Sequence, residues 1–131
     1  MGETLQSLDA LSIGAFLGMI GVILGAMGSH ALADTLTPDQ LNTFETGVRY
    51  QMFHSLLLVA LGLAGRDHPV GLAVLFGLGI LLFSGSIYAL VLVDWTNLGT
   101  LKTIVAISTP IGGSLLIFAW GWLTWWGLTL S

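Results

Sequence analysis

Two stretches of this chain, Leu11–Leu32 and Pro69–Val93, contain no Asp, Glu, Lys or Arg. Each is long enough to cross the hydrocarbon of a bilayer as a helix, which takes about 20 mainly apolar residues. Backbone inside hydrocarbon must satisfy its own hydrogen bonds, so these runs are expected to be α-helical. The composition agrees. Of the 131 residues, 55% are hydrophobic and 8% charged, whereas soluble domains carry about 25% charged residues.

A third run, Leu101–Trp126, has only Lys102 near its edge. A fourth is harder to see, because only Met52–Gly65 is strongly apolar. The residues before it supply the missing length. Thr37-Pro38-Asp39-Gln40 reads as a helix start: Thr37 caps, Pro38 suits the first helical position, and Gln40 closes a capping box. Asp39 sits at the positive end of the helix dipole. The first turns carry Leu41, Phe44 and Val48 on one stripe, which predicts an amphipathic segment in the headgroup layer or packed on the other helices. Gly47 is the expected bend. The expected fold is all-α, a four-helix up-down transmembrane bundle over residues 11–32, 38–65, 69–93 and 101–126, forming one domain. The links at 34–37, 66–68 and 94–100 are short, which favours antiparallel neighbours. An even number of spans puts both termini on one side. Arg49 and Lys102 near one face against Arg66 near the other favour termini outside.

Helix one carries Gly14, Gly18, Gly21, Gly25 and Gly28, spaced 4-3-4-3. In lipid the hydrophobic effect does not drive helices together, so a glycine stripe that admits a partner backbone is an expected packing face. Pro110, with Gly112 and Gly113 after it, predicts a kink in helix four, since it frees the carbonyl of Ala106 for Ser108, Thr109 or a partner. Trp95, Trp120, Trp122, Trp125 and Trp126 fall near the ends of the spans and read as interface anchors.

Several functions are excluded or disfavoured. Seven acids against three bases, Arg49, Arg66 and Lys102, leave no basic patch for nucleic acid. With no cysteine, disulfides, thiolate metal sites and Cys nucleophiles are ruled out. The N-terminal run resembles a signal peptide core, but it lacks a positive flank and is long, so it reads as a retained helix. No phosphate loop, dinucleotide fingerprint or serine nucleophile motif is present.

The polar side chains gather in Gly28-Ser29-His30 and in Phe44–His54. Within these, His30, Glu45, Arg49, Tyr50, Gln51 and His54 form the candidate site. Glu45 and Arg49 are spaced i, i+4 in the favourable order. Arg49 is expected to be buried, paired with Glu45 and within reach of the free carbonyls at the end of helix one. Two readings stand: a polar lock between helices, or a site for a proton or small solute. A haem held by His30 and His54 is a remoter reading, and a metal site lacks a third ligand. No cofactor or metal is expected.

Gly25-Ala26-Met27-Gly28-Ser29-His30-Ala31-Leu32, followed by Phe44-Glu45-Thr46-Gly47-Val48-Arg49-Tyr50-Gln51-Met52-Phe53-His54, resembles the small inner-membrane family known as domain of unknown function 423, whose animal relatives are called transmembrane protein 256. Gly85-Ser86-Ile87-Tyr88 and Thr109-Pro110-Ile111-Gly112-Gly113 are similar to further family segments. Relatives often carry basic residues after the Gly-x-His segment, where this chain has Asp34. The resemblance implies a four-helix protein of the bacterial inner membrane or of mitochondria, with no established activity. The expected function is a non-enzymatic structural or accessory component that packs against a larger membrane assembly. The alternative is a small-solute or proton-linked transporter or channel. The expected partners are the lipid bilayer and other membrane subunits or further copies of the chain.

Overall fold

A computed structural model describes residues 2–64, 68–96 and 99–130, with side-chain surroundings for 10–64, 68–93 and 101–130. Arg66, Asp67 and Asn97 lie outside the described residues, as do the side chains of Asp94 and Trp95. The described chain is helical, in the order α1 (Gly2–Ser29), α2 (Pro38–Leu63), α3 (Val70–Thr96) and α4 (Gly99–Thr129). Three of these are long and apolar enough to cross a membrane, through Ala10–Ser29, Val70–Val93 and Leu101–Thr129. The first half of α2 is too polar to join them.

The start of α2 is set by its cap. The Gln40 N–H donates to Thr37 Oγ1 at 3.3 Å, and the Thr37 N–H donates to Gln40 Oε1 at 3.0 Å. Before it, residues 30–36 form tight turns. The His30 N–H donates to the Ala26 carbonyl and the Leu32 N–H to that of Met27, while the Ser29 hydroxyl donates to that of Gly25. Local donors therefore occupy the carbonyls of Gly25, Ala26 and Met27 near the end of α1.

Neighbouring helices run antiparallel, as their contacts show. A Cβ on Gly14 would lie 2.7 Å from Val59 N and 2.8 Å from Ser55 O; Gly21 faces Met52, Gly25 faces Val48 and Gly28 faces Phe44. The glycine stripe thus lies on α2. Leu41, Phe44 and Val48, the amphipathic stripe of α2, cover its last two glycines. Between α3 and α4 the same device recurs. A Cβ on Gly112 would collide with the backbone of Leu82 and Phe83, and Gly79 receives Leu116. Gly112 is therefore a contact residue as well as a neighbour of Pro110, and α4 continues as a helix through that proline. The hydroxyls expected to serve the Ala106 carbonyl are engaged elsewhere: Ser108 with Ile104 O, and Thr109 with Ser86.

The helices pack in chain order, each antiparallel to the next, as the up-down expectation has it. α1 packs on α2, α2 on α3 and α3 on α4. Among the described residues, α1 barely approaches α3, and the α4 backbone approaches none but α3. Accordingly only 17% of the apolar window of α1, and of α4, is buried, against 44% for α3. Lipid explains the difference. An apolar helix face exposed to acyl chains carries little penalty, so nothing compels α1 and α4 to close the ring. The core draws on all four helices, with Ala10, Leu58, Leu72, Phe76 and Ala119 fully enclosed.

Candidate functional site

The polar groups of α2 divide between its inner and outer faces. A helix advances about 100° per residue, so Gly47, Gln51 and His54 turn toward α3 while Glu45 and Arg49 turn away. Gln51 is 3% exposed and joins three helices. Its Nε2 donates to the Leu17 carbonyl on α1 at 2.7 Å, and its Oε1 accepts from the Tyr88 hydroxyl on α3 at 2.8 Å. One turn away the Ser84 hydroxyl donates to the Gly47 carbonyl at 2.8 Å. That contact needs Gly47 bare, because a Cβ there would meet the Tyr88 ring at 2.8 Å. Gly47, expected as a bend, is thus a point of close approach. Ser55 closes the group, donating to Gln51 O at 2.6 Å.

His54 forms the link to α4. Its Nδ1 lies 2.6 Å from the Tyr50 carbonyl, which only accepts. Its Nε2 lies 3.1 Å from Trp120 Nε1, which only donates. Both contacts are met by a neutral imidazole protonated on Nδ1. The ring packs against Phe76 and Trp120 at centroid distances of 6.0 and 6.1 Å, and Tyr50 lies tilted against Phe83 at 4.7 Å. Trp120, expected as an interface anchor, is in addition a donor to the core. Trp122 likewise reaches inward, over Gly71. A cavity of about 300 Å³ opens beside these rings, lined by Tyr50, His54, Phe83, Gly113, Leu116, Ile117 and Trp120. A second, of about 310 Å³, lies between the end of α1 and the end of α3, walled by Met27, Leu36, Phe44, Tyr88 and Val91.

The six candidate residues do not converge on one point. Gln51 and His54 are buried; His30, Glu45, Arg49 and Tyr50 are exposed. Exposure of Arg49 corrects the expectation that it would be buried against Glu45: among the described residues no ion pair joins the two. Of the carbonyls it was expected to reach, around Gly28 to Ala31, that of Ala31 lies 3.5 Å from the Thr35 hydroxyl. Register adds to this, since the end of α1 faces Phe44, more than a turn before Arg49 and on another side of the helix. His30 lies beyond that same end, so roughly 15 Å of helix rise separates it from His54. The two rings share no site. Among the described residues no three His, Cys, Asp or Glu side chains gather as metal ligands would.

Ser84, Ser86, Tyr88, Thr109 and Trp120 are the polar partners that the sequence did not assign. Ser86 and Thr109 bond across α3 and α4 at 2.7 Å. Chemically the assembly is a set of saturated hydrogen bonds: the His54 lone pair and the Gln51 amide are each occupied by the chain itself.

Comparison with known proteins finds relatives named as membrane proteins. Residues 24–113 match the family model described as "Protein of unknown function (DUF423)". The chain is 35% identical over 113 residues to a UPF0382 membrane protein of Haemophilus influenzae, covering 84% of this chain and 86% of the relative. It is 35% identical over 113 residues to the UPF0382 membrane protein YwdK of Bacillus subtilis, covering 82% and 86%. It is 33% identical over 115 residues to the UPF0382 inner membrane protein YgdD of Escherichia coli, covering 84% and 82%. No solved structure matches the chain. With most of its length matched both by the family model and by these relatives, the chain belongs to the DUF423 family of bacterial membrane proteins.

Proposed function

We propose that all four helices cross the bacterial inner membrane and that the protein is a non-enzymatic accessory component of a larger membrane assembly. The carrying observation is the contrast between an internally hydrogen-bonded polar cluster and open flanks. Gln51 bonds to α1 and α3, Ser84 to α2 and His54 to α4, whereas the backbone of α1 packs almost wholly on α2 and that of α4 on α3. α2 as a crossing helix is supported by its place between α1 and α3, both apolar enough to span. The inner-membrane assignment rests on the name of the Escherichia coli relative.

Affinity purification in mild detergent, followed by mass spectrometry, tests this. A membrane protein recovered in stoichiometric and reproducible amount is the expected result. Elution alone, or only with copies of itself, overturns the reading.

A second reading, passage of a proton or small solute, draws on the cavity beside Tyr50 and His54. Vesicles containing the purified protein and an internal pH dye decide it. Leak rates equal to those of empty vesicles discard it, and a leak abolished by His54→Ala promotes it.

A further inference from the structure

α2 turns one face away from both of its neighbours. Glu45, Arg49, Phe53, Leu56, Ala60 and Leu63 are all exposed, and Asn42, also exposed, begins the same row one turn earlier. From residue 42 to residue 63 the row advances by three or four residues at a time, so it forms one continuous stripe along the helix.

The depth of this row makes its charges conspicuous. Gly25 faces Val48 and Gly21 faces Met52, so Arg49 is level with the stretch between those glycines. That stretch lies inside the apolar window Ala10–Ser29, about 7 Å of helix rise from its end. On the other side Gly47 bonds to Ser84, which lies well within the window Val70–Val93. Ionisable side chains at such depth face other protein or water and pair with one another, because lipid does not solvate them. Within the chain Glu45 and Arg49 form no ion pair.

We propose that this face is the contact between two copies of the chain, related by a twofold axis along the membrane normal, with Glu45 of each copy against Arg49 of the other. The inference rests on α2 crossing the membrane and not on any accessory role. A twofold contact pairs a surface with itself, so it requires a self-complementary patch, and an acid beside a base on one stripe is such a patch. In a parallel pair Glu45 and Arg49 differ in level by about 6 Å. Helical side chains lean toward the N-terminus, so Arg49 leans toward the level of the partner's Glu45. Phe53, Leu56 and Leu63 continue the same face with apolar contacts. A lipid phosphate is the competing source of an anion, and it would leave Glu45 beside a like charge.

The chain has no cysteine, so single-cysteine variants report on the contact in native membranes. Phe53→Cys and Leu56→Cys, treated with an oxidant or a short bismaleimide, are expected to give linked dimers. Ile107→Cys and Ile117→Cys on α4 serve as exposed controls and are expected to give few. In the Phe53→Cys background, Glu45→Arg and Arg49→Glu are each expected to lower the linked fraction about tenfold, equivalent to about 1.4 kcal/mol. Co-expression of those two charge variants under different tags is expected to restore linkage between the tags, which a pairing within one chain cannot do. Yields are compared per unit of protein accumulated in the membrane; should a charge variant fail to accumulate, the cysteine positions decide alone. Linkage at Phe53 no greater than at Ile107, or linkage unchanged by either charge reversal, overturns the proposal. Self-linkage without any co-purifying protein would uphold it while overturning the accessory role.

Discussion

Gln51 has a neutral amide, 3% exposed, that holds α1 and α3 through two hydrogen bonds. Hydrogen bonds between membrane helices contribute about 0.6 kcal/mol each on average and up to about 1.7. Removing one partner also leaves the other unsatisfied. Gln51→Ala is therefore expected to destabilise the fold by about 1–3 kcal/mol, and Tyr88→Phe, which removes one bond of the two, by roughly half as much. Denaturant titration in detergent micelles measures both, and the double variant should be less than additive. Equal stability of Gln51→Ala and the parent would refute the bridging role. A separate test concerns His54. Its partners demand a neutral ring protonated on Nδ1, so nitrogen NMR should show a protonated Nδ1 and a bare Nε2. Trp120→Phe, which deletes the donor to Nε2, should erode that preference. A spectrum with the proton on Nε2 would reject the assignment. The sequence marked Gln51 and His54 as polar residues in an apolar setting, yet it also marked Glu45 and Arg49. What separates the two pairs is rotation about the helix axis. Hydrophobicity carries no record of rotation when lipid on one side and protein on the other are both apolar.

At the scale of the helices, glycine was legible where it formed a repeat and obscure where it did not. Gly14 to Gly28 announced a packing face by their spacing. Gly47, Gly79 and Gly112 belong to no such repeat, and α3 and α4 hold other glycines with open space around them. Structure distinguishes them by what a methyl group would meet. At Gly112 it would meet the backbone of Leu82 and Phe83, which cannot step aside as a flexible side chain can. At Gly77 and Gly85 it would meet nothing within 4 Å. Gly112→Ala is expected to cost about 1–3 kcal/mol, the range for overpacking a tight contact, by forcing α3 and α4 apart. Gly77→Ala and Gly85→Ala should be neutral or stabilising by up to about 0.5–1 kcal/mol, because alanine loses less entropy in a helix. The α1 stripe is graded in the same way. Gly14 faces backbone at 2.7 Å, Gly21 faces first the movable Met52 side chain and then Gln51 Nε2 at 3.5 Å, and Gly18 makes ordinary contact with Ser55 at 3.8 Å. Thermal unfolding in detergent should rank Gly14→Ala as the most damaging of the three. A flat ranking would show that the α1–α2 contact is looser than described.

For the whole molecule the number of spans has one decisive consequence. Three helices are apolar enough to cross unaided, and three crossings place the two termini on opposite sides. Four crossings place them on the same side, so parity tests whether α2 crosses. The second helix has 26 residues, about 39 Å at 1.5 Å per residue, enough to traverse hydrocarbon even with its polar first turns. Its antiparallel contacts extend along most of α1, from Gly14 against Ser55 and Val59 to Gly28 against Phe44. A helix lying flat in the headgroup layer could not keep that register with a neighbour that spans. The polar first half is accommodated because Gln51 and Ser55 bond inward, and because Phe44 and Val48 cover the glycines of α1. Reporter fusions at the N-terminus and after Ser131, each active on only one side of the membrane, should therefore give the same answer at both ends. The distribution of Arg49, Arg66 and Lys102 favours the outer side for both. Opposite answers at the two ends would remove α2 from the membrane, and with it the depth argument for Arg49.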